Sequence, residues 1–315
     1  MILATQSNGT PDGRLVLVSP THDRCTQAPV STLQQAMEDW SGFVSSAKEI
    51  NQFPEPLDAA SLAAPLPRAW QWLDGSVYPT HAELMQIAFG LDPIDSDRPL
   101  MYQGMSDRFY GPKEDVVLPS EGHGIDFEGE FGVIVDHVPM GTSPAEALDH
   151  VKLIVQINDW SLRAIAPVEM KTGFGWVQAK PACSMAPFAI TPEELGDAWQ
   201  DGRVCLDLDI RWNGRQFGHA NGEPMLFGFH DLIAHAALSR DLVAGTVIGS
   251  GTVSNSNYAE VGSSCISEVR AIEMIADGKP KTSFMAFGDS VRMEARDAAG
   301  HTPFGTIDQK VVRAQ

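Results

Sequence analysis

The chain has 315 residues, 43% of them hydrophobic, and a formal charge of −19. That length holds two domains, or one large domain with an appendage. The acids are spread along the chain and Lys and Arg do not cluster, which argues against nucleic acid and anionic membrane surfaces as partners. An anionic small substrate stays compatible, because a metal and a few basic groups reverse the field locally.

Cys25, Cys183, Cys205 and Cys265 lie far apart without a CxxC pair, so neither a disulfide framework nor a zinc knuckle is expected. The N-terminus, MILATQSNGTPDGR, lacks a basic region followed by an apolar run. No stretch approaches the ~18 apolar residues of a membrane span. The expected location is cytoplasmic.

Residues 1–20 predict a hairpin, Ile2–Thr5 and Arg14–Val18, turning at Asn8-Gly9 or Asp12-Gly13. Leu33, Met37, Trp40 and Val44 then repeat at helical spacing, with Ser31 as the expected N-cap. Pro54, Pro56, Pro65 and Pro67 punctuate an extended passage. A boundary near residue 70 divides a small N-terminal domain, 1–70, from a second domain, 71–315. Residues 80–90 predict a short helix, followed by the proline-bounded stretch 92–99. Val116–Leu118 reads as a strand, Val151–Asp159 as a strand or the end of a helix running into one, and Thr191-Pro-Glu-Glu194 as a capping box. Val204–Trp212 alternates and ends in Asn213-Gly214, a hairpin signal. Phe227–Arg240 has helical spacing, and Ser290–Ala295 with Thr302–Val311 form a last strand pair. Strands outnumber helices and the hairpins imply antiparallel pairing, so the fold class is β-rich α+β.

The stretch that organises the chain is Gly124-Ile125-Asp126-Phe127-Glu128-Gly129-Glu130-Phe131-Gly132-Val133-Ile134-Val135. Phe127, Phe131, Val133 and Val135 alternate as in a strand with one buried face. Glu128 and Glu130 then leave one side of that strand. Adjacent carboxylates repel, and a hard divalent cation between them is one answer. A solvated strand face is the other, since Glu is mostly exposed.

Three further features follow: Ile157-Asn158-Asp159-Trp160-Ser161-Leu162-Arg163, then Gln178-Ala179-Lys180-Pro181, then Gly249-Ser250-Gly251-Thr252-Val253. In that order and spacing they resemble the fumarylacetoacetate hydrolase family, from about residue 70 to the C-terminus. Residues 1–70 are similar to the small N-terminal domain of its longer bacterial members. The resemblance implies a mixed β-sandwich roll and a homodimer. It also implies Glu128, Glu130 and Asp159 as ligands of a divalent metal, Mg²⁺ foremost, with Ca²⁺ or Mn²⁺ as alternatives. Asp74 is an additional ligand by the same likeness.

Ser76-Val77-Tyr78-Pro79-Thr80-His81 resembles the family's Tyr-and-His segment, which implies His81 as general base and Tyr78 as a substrate contact. The carboxylate that smaller members place three residues after the His is replaced by Leu84, and Glu83 is only two along. Glu268 is the expected orienting group instead. Lys180 and Arg163 are the cations expected at a substrate carboxylate or enolate, with a salt bridge to one of the 41 acids as the plainer role. Tyr102, in Tyr102-Gln103-Gly104, and Thr252 are the remaining expected substrate contacts. Asp107, Glu114 and Asp115 read as solvated, and His123, His219, His230 and His235 as structural.

The function implied is hydrolysis of a carbon–carbon bond in a 2,4-diketo acid such as fumarylacetoacetate, fumarylpyruvate or an acylpyruvate, reactions of aromatic-compound and tyrosine catabolism. The alternative is decarboxylation, isomerisation or hydration of 2-oxo acids on the same fold. A cupin-like oxygenase needs clustered His, and no His-x-His is present. A serine hydrolase needs a Gly-x-Ser-x-Gly elbow, which is also missing. A non-catalytic, metal-stabilised protein is disfavoured by the presence of both His81 and Lys180.

Overall fold

The computed structural model describes residues 1–90, 92 and 96–315, with the side chains of Ala88 and Phe89 outside that description. The stretch 92–99 therefore falls partly outside it. The first hairpin forms as its pattern requires: Ile2–Gln6 pairs with Arg14–Val18, Ile2 opposite Val18 and Gln6 opposite Arg14. The periodic segment after it is two helices, Leu33–Glu38 and Trp40–Ala47, with Thr32 rather than Ser31 as N-cap. The break falls at Asp39, whose carboxylate leaves the helical path and caps the second helix by accepting from Gly42 N.

Two sheets build the body. Among the described residues the larger runs Glu55–Pro56, Arg24–Gln27, Arg14–Val18, Ile2–Gln6, Ala189–Ile190, Val151–Asn158, Gly129–Val135, Thr246–Gly249, Trp72–Gly75 and Met101–Gly104. Ser184–Met185 joins it on Val151–Asn158. The smaller runs Arg215–Asn221, Asp207–Trp212, Ser290–Arg296, Ile307–Arg313 and Val116–Leu118. The N-terminal hairpin enters the larger sheet through Ile2 opposite Ile190, so one sheet carries strands from both ends of the 70-residue boundary. The fold is mixed α+β and strand-rich.

The strand Gly129–Val135 lies between Val151–Asn158 and Thr246–Gly249 and is buried at every residue. One buried face was the expectation from alternation; the structure buries both. Phe131, Val133 and Val135 pack with Leu208, Ile210, Met293 and Ile307 of the smaller sheet. Ile134, on the other side, joins Leu3, Leu15, Leu33, Met37 and Phe43 of the N-terminal segment. Each such side chain contributes about 1.5–3 kcal/mol by burial. The first segment therefore covers, at Ile134, the same face of the strand from which Glu130 projects.

Local chemistry decides other departures. Thr191 does not close a capping box, because its hydroxyl accepts from the N-terminal ammonium at 2.7 Å. The hairpin at Asn213-Gly214 forms, both residues at positive φ, but its first strand begins at Asp207. The helix predicted over 227–240 is Phe229–Ala236, and the strand expected from Thr302 begins at Ile307. No helix among the described residues is long and apolar enough to cross a membrane.

Candidate active site

Strand pairing gathers distant acids at one place. Ile157 lies opposite Glu130, so the end of Val151–Asn158 delivers Asp159 beside it. The Asn158 side-chain oxygen accepts from Glu128 N at 3.0 Å, and Asp159 N donates to Glu128 O at 3.0 Å. Trp72–Gly75 runs parallel to Thr246–Gly249 with Asp74 opposite Gly249, which brings the fourth acid. Gly251 turns the chain there at φ +79°, where its N–H donates to Asp74 Oδ1 at 3.2 Å. A Cβ at Gly251 would stand 2.5 Å from Gly75 O, so only glycine fits.

Asp74, Glu130 and Asp159 each place a carboxylate oxygen within 4.8 Å of the others. They are 2%, 0% and 0% exposed, and neither Glu130 oxygen has a hydrogen-bond partner. Burial first, then the neighbouring carboxylates, push Asp74 and Glu130 well above the usual carboxylate range. A buried, all-oxygen cluster whose central Glu130 carboxylate has no partner is what a hard divalent cation binds, so these residues fit Mg²⁺, Mn²⁺ or Ca²⁺.

Glu128 stands apart from that cluster. Its Oε1 accepts from Ser161 Oγ at 2.5 Å and Lys180 Nζ at 2.8 Å, and its Oε2 accepts from Thr252 Oγ1 at 2.7 Å. Arg163 Nη2 lies 2.7 Å from Oε1 as an ion pair without hydrogen-bond alignment. Burial opposes ionisation, but Arg163 and Lys180 outweigh it and hold Glu128 well below the carboxylate range. Of the four expected ligands, Asp74, Glu130 and Asp159 thus cluster, while the oxygens of Glu128, at the same cavity, are held by Ser161, Lys180, Thr252 and Arg163.

Arg163 and Lys180 are engaged rather than free for substrate. Arg163 Nε donates to Asp126 Oδ2 at 2.8 Å, and Lys180 Nζ also donates to Asp159 Oδ2 at 2.5 Å. Asp126 in turn accepts from Ile266 N and Ser267 N, fixing the start of the helix Ile266–Asp277. Tyr102 donates its hydroxyl to Asp159 Oδ2 at 2.5 Å, and Cys183 its thiol to Oδ1 at 2.9 Å. Burial pushes the Tyr102 phenol and the Cys183 thiol well up, so both remain donors.

His81 sits on the helix Pro79–Phe89, and its Nδ1 lies 2.8 Å from Glu268 Oε1, on the first turn of Ile266–Asp277. Leu84 is buried in the core and Glu83 is exposed, so the orienting carboxylate comes from 187 residues away. Tyr78 departs from its expected role. It is the N-cap of the His81 helix, 1% exposed, and its hydroxyl donates to Gly222 O at 2.9 Å, away from the cavity. The ring is a core residue; a β-conformation N-cap followed by Pro79 turns it inward.

These groups line a cavity of about 310 Å³, with Asp74, His81, Tyr102, Glu128, Arg163, Lys180 and Thr252 among its walls. Larger surface clefts, about 460 Å³ beside Arg68 and Trp70 and about 560 Å³ beside Trp40 and Lys48, hold no buried cluster of titratable groups. Ser161, Cys183 and Asp126 went unassigned in the sequence. Asp126 had a signal: acids recur at every second position through Asp126, Glu128 and Glu130.

The family model described as fumarylacetoacetate hydrolase C-terminal matches residues 71–312, and fumarylacetoacetase N-terminal domain 2 matches residues 1–68. The chain belongs to the fumarylacetoacetate hydrolase family. Over 163 residues it is 31% identical to the 2,4-didehydro-3-deoxy-L-rhamnonate hydrolase of Sphingomonas sp. strain SKA58, covering 51% of this chain and 54% of that protein. It is 25% identical over 162 residues to a human mitochondrial oxaloacetate tautomerase, covering 49% of this chain and 48% of that one. The chain thus spans about half the length of these two curated relatives. The crystal structure of maleylpyruvate hydrolase from Sphingobium sp. SYK-6, in complex with manganese(II) and pyruvate, shares the fold at TM-score 0.67 and 19% identity, over 100% of both chains. The family therefore includes hydrolases and tautomerases of oxo acids.

Proposed function

We propose that this family member is a divalent-cation-dependent hydrolase that cleaves a carbon–carbon bond in a 2,4-diketo acid, with an acylpyruvate as the type substrate. The observation that carries the reading is the pairing of the buried Asp74, Glu130 and Asp159 cluster with the His81–Glu268 pair at one cavity. The manganese and pyruvate named in the maleylpyruvate hydrolase structure support it by analogy.

Asp74, Glu130 and Asp159 would hold the cation, Mg²⁺ in the first instance, which supplies Lewis acidity to carbonyl oxygens when bound. Glu268 keeps the His81 Nδ1 proton in place, which leaves Nε2 to accept a proton from water. The water oxygen bonds to the distal carbonyl carbon; the adjacent carbon–carbon bond breaks, and its electron pair goes to the pyruvate side. The proton taken by His81 returns to that carbon, giving pyruvate and a carboxylic acid, which releases the second proton of the water to solvent as it becomes a carboxylate. Lys180 and Arg163 keep Glu128 ionised and stationary, and Tyr102 and Cys183 fix the Asp159 carboxylate. Thr252 acts on Glu128 in the same way.

Tautomerisation of a 2-oxo acid is the second reading. It is favoured by the same His81–Glu268 pair, which can move a carbon-bound proton without water attack, and by the oxaloacetate tautomerase relative. The deciding experiment follows acylpyruvate absorbance with metal-stripped and Mg²⁺-restored protein, and identifies products. Metal-dependent release of pyruvate supports hydrolysis; enol–keto exchange with no pyruvate overturns it in favour of tautomerisation. The homodimer belongs to the same proposal. Exposed Val168, Phe174 and Val177 offer apolar surface for it, and light scattering at two concentrations tests it.

A further inference from the structure

The cavity lining is of two kinds. Its charged part, here called the floor, is Asp74, Glu128, Arg163 and Lys180, with Asp126, Glu130, Asp159 and Glu268 in contact with these or with His81; among the described residues Arg163 and Lys180 are its two permanent cations. Both cations are already within 2.8 Å of carboxylates of the protein, and His81 is held by Glu268. The apolar wall is different: Ala82 and Met85 from the His81 helix, Leu100 and Met101, then Met170 and Trp176. Among the described residues it carries no charged side chain. Arg98 and Lys171, the basic residues nearest in sequence, are exposed and do not line the cavity.

We infer that the substrate's far end, the acyl tail beyond the carbonyl that is attacked, is uncharged and apolar, an alkyl or aryl chain lying against Met85, Met101, Met170 and Trp176. This rests on the reading that the floor takes a 2-oxo-acid head. A tail ending in a carboxylate would lose its water against thioether and indole surface and find, among the described lining residues, no unpaired cation to replace it. It would also add negative charge beside a floor already rich in acids. An alkyl or aryl tail meets neither cost. Three methionines let the wall conform to tails of different shape, and Trp176 offers a flat face to an aromatic one. These four side chains are thus specificity-determining residues rather than catalytic ones.

The test is calorimetric binding to the full chain with saturating Mn²⁺, comparing 2-oxohexanoate, 2-oxoadipate and a 3-deoxy-2-oxo sugar acid. The first two differ only in a terminal methyl against a carboxylate. The alkyl acid is expected to bind about tenfold or more tightly than the diacid and the polyol. In Met170→Arg, and separately in Met85→Lys, that preference over the diacid should shrink or reverse. Met170 is 41% exposed, so a charge there is compatible with folding. Equal or tighter binding of 2-oxoadipate or of the sugar acid, or an unchanged ratio in both variants, overturns the inference. Binding of none of the three removes the 2-oxo-acid head on which it rests. Failure of the hydrolase reading looks different: the binding preference persists while acylpyruvates are not cleaved.

Discussion

Glu128 and Glu130 are two residues apart and equally buried, yet the two halves of the floor they head are electrostatic opposites. Around Glu128, Arg163, Lys180, Ser161 and Thr252 satisfy both oxygens. Around Glu130 stand two other acids, Asp74 and Asp159, and no hydrogen bond reaches its oxygens. The first half has its charge balanced by protein groups. In the second, Lys180 is the cation, bound to Asp159 and shared with Glu128, so three buried carboxylates face less than one full positive charge. Burial alone therefore does not identify a binding site; burial without partners does.

That contrast can be broken by charge removal. Glu130→Gln should lower turnover about 10²–10³-fold or more, because several kcal/mol of charge stabilisation goes with the cation. Its Mn²⁺ binding should vanish by calorimetry, while the metal-free protein melts no lower than wild type. A melting point several degrees lower would contradict the assignment. Glu128→Gln should do the reverse to stability, costing about 1.5–3 kcal/mol in urea denaturation, since Arg163 and Lys180 each lose one of two buried carboxylate partners and keep Asp126 and Asp159. Unchanged stability there would mean that these ion pairs do not stabilise the fold.

Glu268→Gln is expected to reduce turnover by about 10²-fold with Mn²⁺ affinity intact, because it disturbs the proton acceptor and not the acid cluster. Parallel losses of affinity and turnover would join the two functions that the geometry separates. In the metal-free protein the halves should also answer pH with opposite signs. Glu128 is depressed, so its stabilisation is complete above the unfolded carboxylate value and is lost as pH falls through the folded one. Asp74 and Glu130 are raised; they keep protons that the unfolded chain has released, so their contribution is lost as pH rises above the unfolded value. Melting temperature against pH should fall on both sides of a weakly acid maximum, and saturating Mn²⁺ should remove the high-pH fall. The smallest effect belongs to Tyr102→Phe, a loss of about 0.5–1.5 kcal/mol for one hydrogen bond to Asp159.

Much of the floor was legible because its residues sit in short runs whose spacing is a strand's. Glu128 and Glu130 on one run, Asp159 and Arg163 on the next, and Lys180 on a loop all reach one cavity. Tyr78 was misplaced because nearness in sequence to His81 does not say which way an N-cap side chain turns. The alternation through Phe131, Val133 and Val135 was real, but it could not show that the N-terminal helices cover the opposite side at Ile134. The apolar wall was invisible, since Met85, Met101, Met170 and Trp176 come from separate segments without a shared period.

By itself the sequence determined the strand-rich class, the hairpins, the family resemblance and which residue types carry the chemistry. Those properties are local: side-chain period, turn chemistry and the ordering of short motifs are written along the chain. Only the tertiary structure decided which acids are partnered, that Tyr78 turns away from the cavity, and that apolar side chains share the cavity with the acids. Each of these depends on what lies within a few ångströms in space, and strand pairing and helix packing set that distance independently of separation along the chain.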